Sequence, residues 1–425
     1  MPQTETFDFP RRKIFVLSSL SLFTAGLSFA LRGAIIASVV AEFSPDSASL
    51  AGSLLGTAFL GFGLTLLFSS VFLEAIGMGR ALLASAVSFI AGTALSLLAS
   101  GDNAETLFRL GFFLSGLGWG FMEAAVNPLT AALYPDDKTN RLNIVHAWWP
   151  AGVIVGMLIA VAGGAMDLDW RVQFAAVVVP ALGCIALFVG TSFPTTERAS
   201  LGVSMREMFG EIPKHPMFLV WWACMLLTAA AELAPNQWFD FALTKSLGIR
   251  GAWIVIYVSA MMFVFRHFAG AIAHHVSSIV MLWGSAALAA AGLWLLPFAD
   301  SPLTGLLAAT VWGLGVCFLW PTMLANVSER YPKGGELFIG LMGVAGALSI
   351  QYVLPALGSI TDETKYELAG SRAAFESLAV TAQAPILQTA NEAAFHTLAG
   401  AVALLTIVFG LIALSERRRA AESNL

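Results

Sequence analysis

The chain alternates long apolar stretches with short polar ones. A helix needs about 20 apolar residues to cross the hydrocarbon core of a bilayer. That ruler marks twelve segments: roughly 14–40, 49–73, 80–99, 106–134, 140–165, 172–192, 216–243, 250–273, 277–297, 302–331, 335–360 and 394–415. Their breaks carry turn chemistry or charge, as in "FSPDSAS", "IGMGR", "SGDNAE", "YPDDKTNR" and "ADSP". Many segments are rich in Gly, Ala and Ser, as closely packed membrane helices are. Two connections are longer than the rest. Residues 193–215 are charged and divide the spans six and six. Residues 361–393 are polar and Ala-rich, and "AAFESLAVTAQA" within them predicts a short, weakly amphipathic surface helix.

Composition agrees with the pattern. Of 425 residues 58% are apolar and 12% charged, against about 45–50% and about 25% in soluble domains. Folded in water, such a chain would expose more apolar surface than monomers tolerate. The net charge of −5 includes no basic face for nucleic acid. Cys184, Cys224 and Cys317 stand singly in apolar runs and read as packing residues, with neither metal spacing nor a disulfide framework. The apolar run after "MPQTETFDFPRRK" is too long for a signal peptide and reads as the first span. With the N-terminus inside, fourteen Lys and Arg fall in inner loops against six in outer ones, with Arg32 and Arg266 inside spans. Both ends are therefore expected on the cytoplasmic side, in a bacterial inner membrane.

The two halves share a repeat. "GLGWGFMEAAVNPLTAALYP" at 116–135 aligns without a gap to "GLGVCFLWPTMLANVSERYP" at 313–332, keeping the GLG, the Phe at 121 and 318, and the Tyr-Pro at each end. These are spans four and ten, which hold the same place in two six-helix halves. The expected architecture is all-α: a six-helix bundle over 1–192, a cytoplasmic linker over 193–215, and a second, pseudo-symmetric bundle over 216–425.

Twelve spans, a charged central loop and a parallel six-helix repeat resemble the major facilitator superfamily. Local motifs narrow the likeness. "GLGWGFMEAAVNP" resembles the "ETxANP" signature of the fucose–galactose–glucose:H+ symporter family. "NIVHAWWPAGVIVG" resembles its fifth span, "AAELAPNQW" its seventh and "FLWPT" its tenth, while "SVFLEAIGMGR" is similar to the superfamily's loop between spans two and three. The resemblance implies alternating access and proton-coupled uptake of a sugar. One departure matters: the first span of those sugar symporters carries an acid, whereas here it carries Arg32.

Ionisable groups at the bilayer centre are costly, by about 2.5–3.5 kcal/mol on insertion scales, and so tend to face a cavity and a partner. Glu123 stands midway along span four, with Trp119 and Asn127 one turn away on its face. Desolvation disfavours the charged form of a carboxylate, the property a proton carrier needs; the bland alternative is a structural Glu paired permanently with Arg or His. Glu232 in span seven shares a face with Thr228 and Asn236, and is a second proton-coupling candidate or a packing hydrogen bond. Arg32 is expected to pair with Glu123 or Glu232 across a central cavity, or to bind an anionic solute. Arg266, His267, His274 and His275 read as a snorkelled or loop-latching cluster near the inner end of span eight. The adjacent histidines lack further ligands at metal spacing, so no metal or cofactor is expected.

Sugars are held by forked amide hydrogen bonds and by aromatic faces. The candidates are Trp119 and Asn127 on span four, Asn143, His146 and Trp149 on span five, Asn236, Gln237 and Trp238 on span seven, Trp320 on span ten and Gln351 on span eleven. Against each stands the role of Trp as interfacial anchor or of Asn as glue between helices. Three functions compete: a proton-coupled carrier of a sugar-like solute, monomeric in the bilayer; an organic-anion carrier or uniporter using Arg32; and, less favoured, a membrane sensor. An enzyme is disfavoured, since the Gly-x-Ser-x-Gly, His-Glu-x-x-His and phosphate-loop motifs are missing.

Overall fold

The computed structural model describes residues 9–42, 47–134, 138–195, 205–247, 251–268, 276–331 and 334–423. Among these residues every regular element is a helix. Ten helices are long and apolar enough to cross a membrane, and Ala252–His267 is a shorter apolar one. Ala104–Leu133, diluted by Arg109 and Glu123, occupies the fourth place. Together they fill the twelve predicted positions in order: Arg11–Ala41, Ala48–Ile76, Met78–Leu97, Ala104–Leu133, a broken fifth, a broken sixth, Pro216–Leu247, Ala252–His267, Ser278–Leu295, Pro302–Arg330, Gly335–Ala369 and Val380–Ser423.

Prolines explain the breaks. Pro lacks an N–H and crowds the carbonyl four residues back. Pro150 stands four residues after His146, where span five divides into Lys138–His146 and Trp148–Ala165. Pro180 does the same to span six, which divides into Trp170–Ala175 and Val178–Phe188. At the turn between spans two and three, Gly77 adopts φ +84° and donates its N–H to Leu73 O at 2.7 Å. A side chain there would meet the steric penalty of that region, so this single residue reverses the chain.

The repeat read from the sequence packs as a repeat. Gly116 lies against Ala58 of span two, and Gly118 against Ser85 and Phe89 of span three. In the second half Gly313 lies against Val258 of span eight, and Gly315 against Ala289 of span nine. The shared GLG thus brings spans four and ten onto equivalent neighbours, because only a missing Cβ lets the helices approach so closely.

The 361–393 connection differs from its expectation. Span eleven continues as helix to Ala369 and span twelve begins at Val380, with the short helix Arg372–Ser377 between them. The two helices have 35 and 44 residues, about 52 and 66 Å at ~1.5 Å per residue, well beyond a core of about 30 Å. Polar composition suggests a loop, whereas helix continues wherever the backbone pairs with itself, in water as in lipid. Gly370, at φ +87°, ends span eleven as a left-handed C-cap does.

This extension reaches across to the first half. Asp362 accepts N–H bonds from Ala48 (3.1 Å) and Ser49 (2.8 Å) at the start of span two, and Lys365 Nζ holds it at 2.7 Å. A carboxylate satisfying free N–H groups at a helix start contributes about 0.5–2 kcal/mol. Deeper between the halves, where Phe29 packs against Trp119 and Trp149, Gln237 Nε2 donates to Phe29 O at 2.6 Å and lies against Gly33. On the face away from the chain ends, the halves are therefore latched shut. Asp362→Ala is expected to raise the labelling rate of a Ser49→Cys thiol by membrane-impermeant maleimide about two- to thirty-fold, the factor that about 0.5–2 kcal/mol represents. An unchanged rate would mean that this contact does not hold the face closed.

Candidate functional site

Between the halves lies a cavity lined by Leu22, Phe62, Trp119, Glu123, His146 and Trp149 from the first, and Glu232, Leu233, Arg266 and Trp320 from the second. Its volume is ≈ 40 Å³. One water needs about 10–15 Å³ on this measure, so the cavity holds about three waters and a hexose-sized solute would require the halves to part.

The first-half wall is an amide-bridged acid beside an aromatic stack. Asn127 Nδ2 donates to Glu123 O at 3.3 Å and, at the long limit, to Glu123 Oε1 at 3.4 Å. Asn127 Oδ1 meets His146 Nε2 at 2.7 Å. An amide oxygen only accepts, so His146 donates from Nε2. Trp119, one turn from Glu123, stacks on Phe62 with centroids 4.6 Å apart and runs parallel to Trp149 at 6.4 Å. Phe29 closes edge-on against Trp119 and tilted against Trp149. Such packing leaves a flat apolar wall next to one polar group.

The second-half wall is a buried ion pair placed by two prolines. Arg266 Nη2 meets Glu232 Oε1 at 2.9 Å, with side chains 8% and 3% exposed. Arg266 Nε donates to Cys317 O at 3.2 Å. That carbonyl lies four residues before Pro321, which has no N–H to return to it, so span ten offers an acceptor in mid-helix. Span seven shows the same device: Ala231 O, four residues before Pro235, accepts from Trp312 Nε1 at 2.9 Å. Asn236 Nδ2 donates to Glu232 O at 2.7 Å and bridges the turn that Pro235 loosens. Arg266 lines the same cavity as Glu123 and His146.

Several expectations need correction. Arg32 pairs with neither Glu123 nor Glu232. It is 1% exposed, its Nε donates to Ser28 O at 3.3 Å, and its guanidinium lies over the Phe112 ring at 5.8 Å. On span one its direction falls on the flank facing span four, away from the Leu22 face that borders the cavity. The cation that reaches Glu232 is Arg266, expected instead as a snorkelled residue. His267 is turned away, bonded to Phe263 O at 2.6 Å, and His274 and His275 fall outside the described residues.

Of the amide and aromatic candidates, Trp119, His146, Trp149 and Trp320 line the cavity together with both acids, and Asn127 stands directly behind Glu123. Asn236 and Gln237 use their amide N–H groups on helix contacts, while Asn236 Oδ1 and Gln237 Oε1 are buried with no partner among the described residues, and Trp238 is fully buried outside the lining. Gln351 lies at the contact of spans two and eleven, where its backbone O faces Gly56 and its Oε1 has no partner. The Asn143 side chain lies outside the described residues. The residue that sequence reasoning missed is Arg266. A lone cation in span eight following a lone acid in span seven was its only signal. Among the described residues no group of three His, Cys, Asp or Glu could hold a metal, and the three cysteines are free and buried.

A second recess, ≈ 370 Å³, lies at the turn between spans two and three, bordered by Glu74, Arg80 and Phe193. It belongs to the "SVFLEAIGMGR" segment and is remote from the acids.

Comparison with curated proteins finds no match. Among solved structures the chain is similar to the E. coli fucose:proton symporter, at 14% identity over 94% of this chain and 98% of that one, TM-score 0.63. It is similar to a D-xylose–proton symporter, at 17% identity over 91% and 97%, TM-score 0.68. A structure from the proton-dependent oligopeptide transporters is as near, at 14% identity over 95% and 99%, TM-score 0.69. At such identities the likeness is one of fold. The sequence model of the Major Facilitator Superfamily matches residues 17–352, most of the chain and both copies of the repeat, and the chain therefore belongs to this family of membrane transporters.

Proposed function

We propose that the protein carries a small polar, sugar-like solute together with protons, by alternating access between the bundles 1–192 and 216–425. One observation supports this above the others: an acid on the first half, Glu123, faces an acid–arginine pair on the second half across a cavity walled by tryptophans. Trp119, Trp149 and Trp320 offer apolar faces to a sugar ring, while Glu123, Asn127 and His146 offer hydrogen bonds to its hydroxyls. Glu123 takes up a proton in the closed, desolvated site, where a bare carboxylate is disfavoured, and releases it when water enters. The latched face is taken as outer, with both chain ends cytoplasmic, on the Lys/Arg balance of the loops. The organic-anion reading loses its main support, since Arg32 stands off the cavity.

The test is uptake into proteoliposomes of radiolabelled hexoses, pentoses, nucleosides, small peptides and organic acids. An inward proton gradient is expected to drive accumulation of a sugar. Glu123→Gln is expected to abolish accumulation while keeping solute exchange at zero gradient. Accumulation that ignores pH and survives Glu123→Gln would overturn proton coupling, and uptake confined to peptides or organic acids would overturn the sugar.

A further inference from the structure

We propose that Arg266 sets the proton count of the transport site: it neutralises one of the two cavity carboxylates, so that the closed site holds one proton and no more. The inference deepens the reading above and rests on it for its role in transport, though the charge arrangement can be tested without any solute.

The argument is a charge account. The cavity is lined by two acids, Glu123 and Glu232, and one guanidinium, Arg266. Every ionisable neighbour must be counted. Span five contributes His146, whose Nε2 donates to an uncharged amide oxygen of Asn127; with no carboxylate against it among the described residues it is counted as neutral, since an unpaired buried charge is disfavoured. Span ten contributes Cys317, whose carbonyl accepts from Arg266. Span eight itself adds His267, turned out to Phe263 O. Arg32 does not enter the account: it is not part of the cavity lining, and its guanidinium lies over Phe112, about three turns along span four from Glu123. Two negative groups and one positive group leave one charge uncompensated. A cavity with room for about three waters cannot hydrate it, and an unpaired buried charge is strongly disfavoured. One proton balances the site.

The geometry also assigns which acid holds it. Arg266 is already committed to Glu232 by the 2.9 Å contact and by the Cys317 carbonyl that Pro321 leaves free. Among the described residues the one hydrogen-bond donor to the Glu123 carboxylate is the Asn127 amide, at 3.4 Å, so the proton sits on Glu123. The balance is a transfer of one proton from water to the Glu123 carboxylate when the site closes, and its return when the site opens. An arginine on span eight thus takes over the bookkeeping that an acid on span one would otherwise share.

The consequence is specific: removing Glu232 should deprotonate Glu123. With Glu232→Gln, Glu123 and Arg266 balance each other and no proton is needed. With Arg266→Gln, both acids need one. With Glu232→Gln and Arg266→Gln together, the need returns to one. Infrared spectroscopy of the purified full-length protein in lipid at neutral pH reads this directly. The carbonyl stretch of a protonated, buried carboxylic acid is isolated by its shift in heavy water. Expected are one band in the wild type, its loss in Glu232→Gln, twice the intensity in Arg266→Gln, and recovery of the single band in the double variant. A band that persists unchanged in Glu232→Gln would overturn the proposal. Should Arg266→Gln fail to fold, the charge-neutral double variant and Glu232→Gln carry the test between them. The expected infrared series in a protein that moves no protons with solute would leave the charge account standing and sink the transport reading; proton-driven uptake with a failed series would do the reverse.

Discussion

Arg266→Met is expected to cost about 3–5 kcal/mol of stability, the penalty of stranding one partner of a buried ion pair. Glu232 is 3% exposed, and Arg266 is the one cation paired with it among the described residues. Without Arg266 it loses its one close cation. The carbonyl of Cys317, freed by Pro321, would also lose its donor. Denaturant unfolding in detergent micelles measures the loss. The informative comparison is Glu232→Gln with Arg266→Met, which removes both charges and is expected to recover most of it, since replacing a whole buried pair is often close to neutral. A single variant that loses under about 1 kcal/mol would show that the pair is hydrated in solution, contrary to its burial.

Gly52→Leu is expected to stop transport while leaving each half folded. Gly52 of span two lies against the Leu354 carbonyl of span eleven, a contact between the halves. A side chain there would displace backbone, and overpacking costs typically 1–3 kcal/mol. In the alternating-access cycle proposed above this contact breaks when the latched face opens, so the cost falls on the closed form and shifts the population towards the open one. Solute exchange should fall more than tenfold, and the Ser49→Cys thiol should label at the fast rate expected for Asp362→Ala. Exchange above half the wild-type rate would show that the two spans do not part in the cycle. Gly116→Leu provides the contrast. It meets the Ala58 carbonyl within the first half, where the helices stay packed throughout, so it should lower stability and yield instead of locking a conformation.

The site was legible in part, and the division follows a physical line. Glu123 and Glu232 stand out because a charge amid apolar residues is costly wherever the helix lies. Trp119, Asn127, His146 and Trp149 followed from helical periodicity around Glu123 and from the neighbouring span. Gln237 and Trp238 were grouped with Asn236 because they adjoin it in sequence. On a helix, successive residues point about 100° apart. Gln237 therefore closes onto Phe29 O, and Trp238 is buried outside the lining. Arg32 and Arg266 look alike in sequence as isolated cations in spans, yet Arg266 makes the pairing expected of Arg32, while Arg32 is buried over Phe112. Hydropathy places a residue along a span; it does not say which neighbour the residue faces.

The sequence by itself determined the membrane class, the positions of the spans and the six-and-six repeat with its GLG packing motif. Those properties follow from local composition and spacing, and a helix in lipid satisfies its backbone within one segment. Only the tertiary structure decided that Arg266 is the partner of Glu232, that Asp362 of span eleven caps span two, and that Glu123 and Trp320, aligned in the repeat, face each other across one cavity. Each of these joins residues far apart in the chain, and their meeting depends on helix rotation and crossing, which side-chain packing sets.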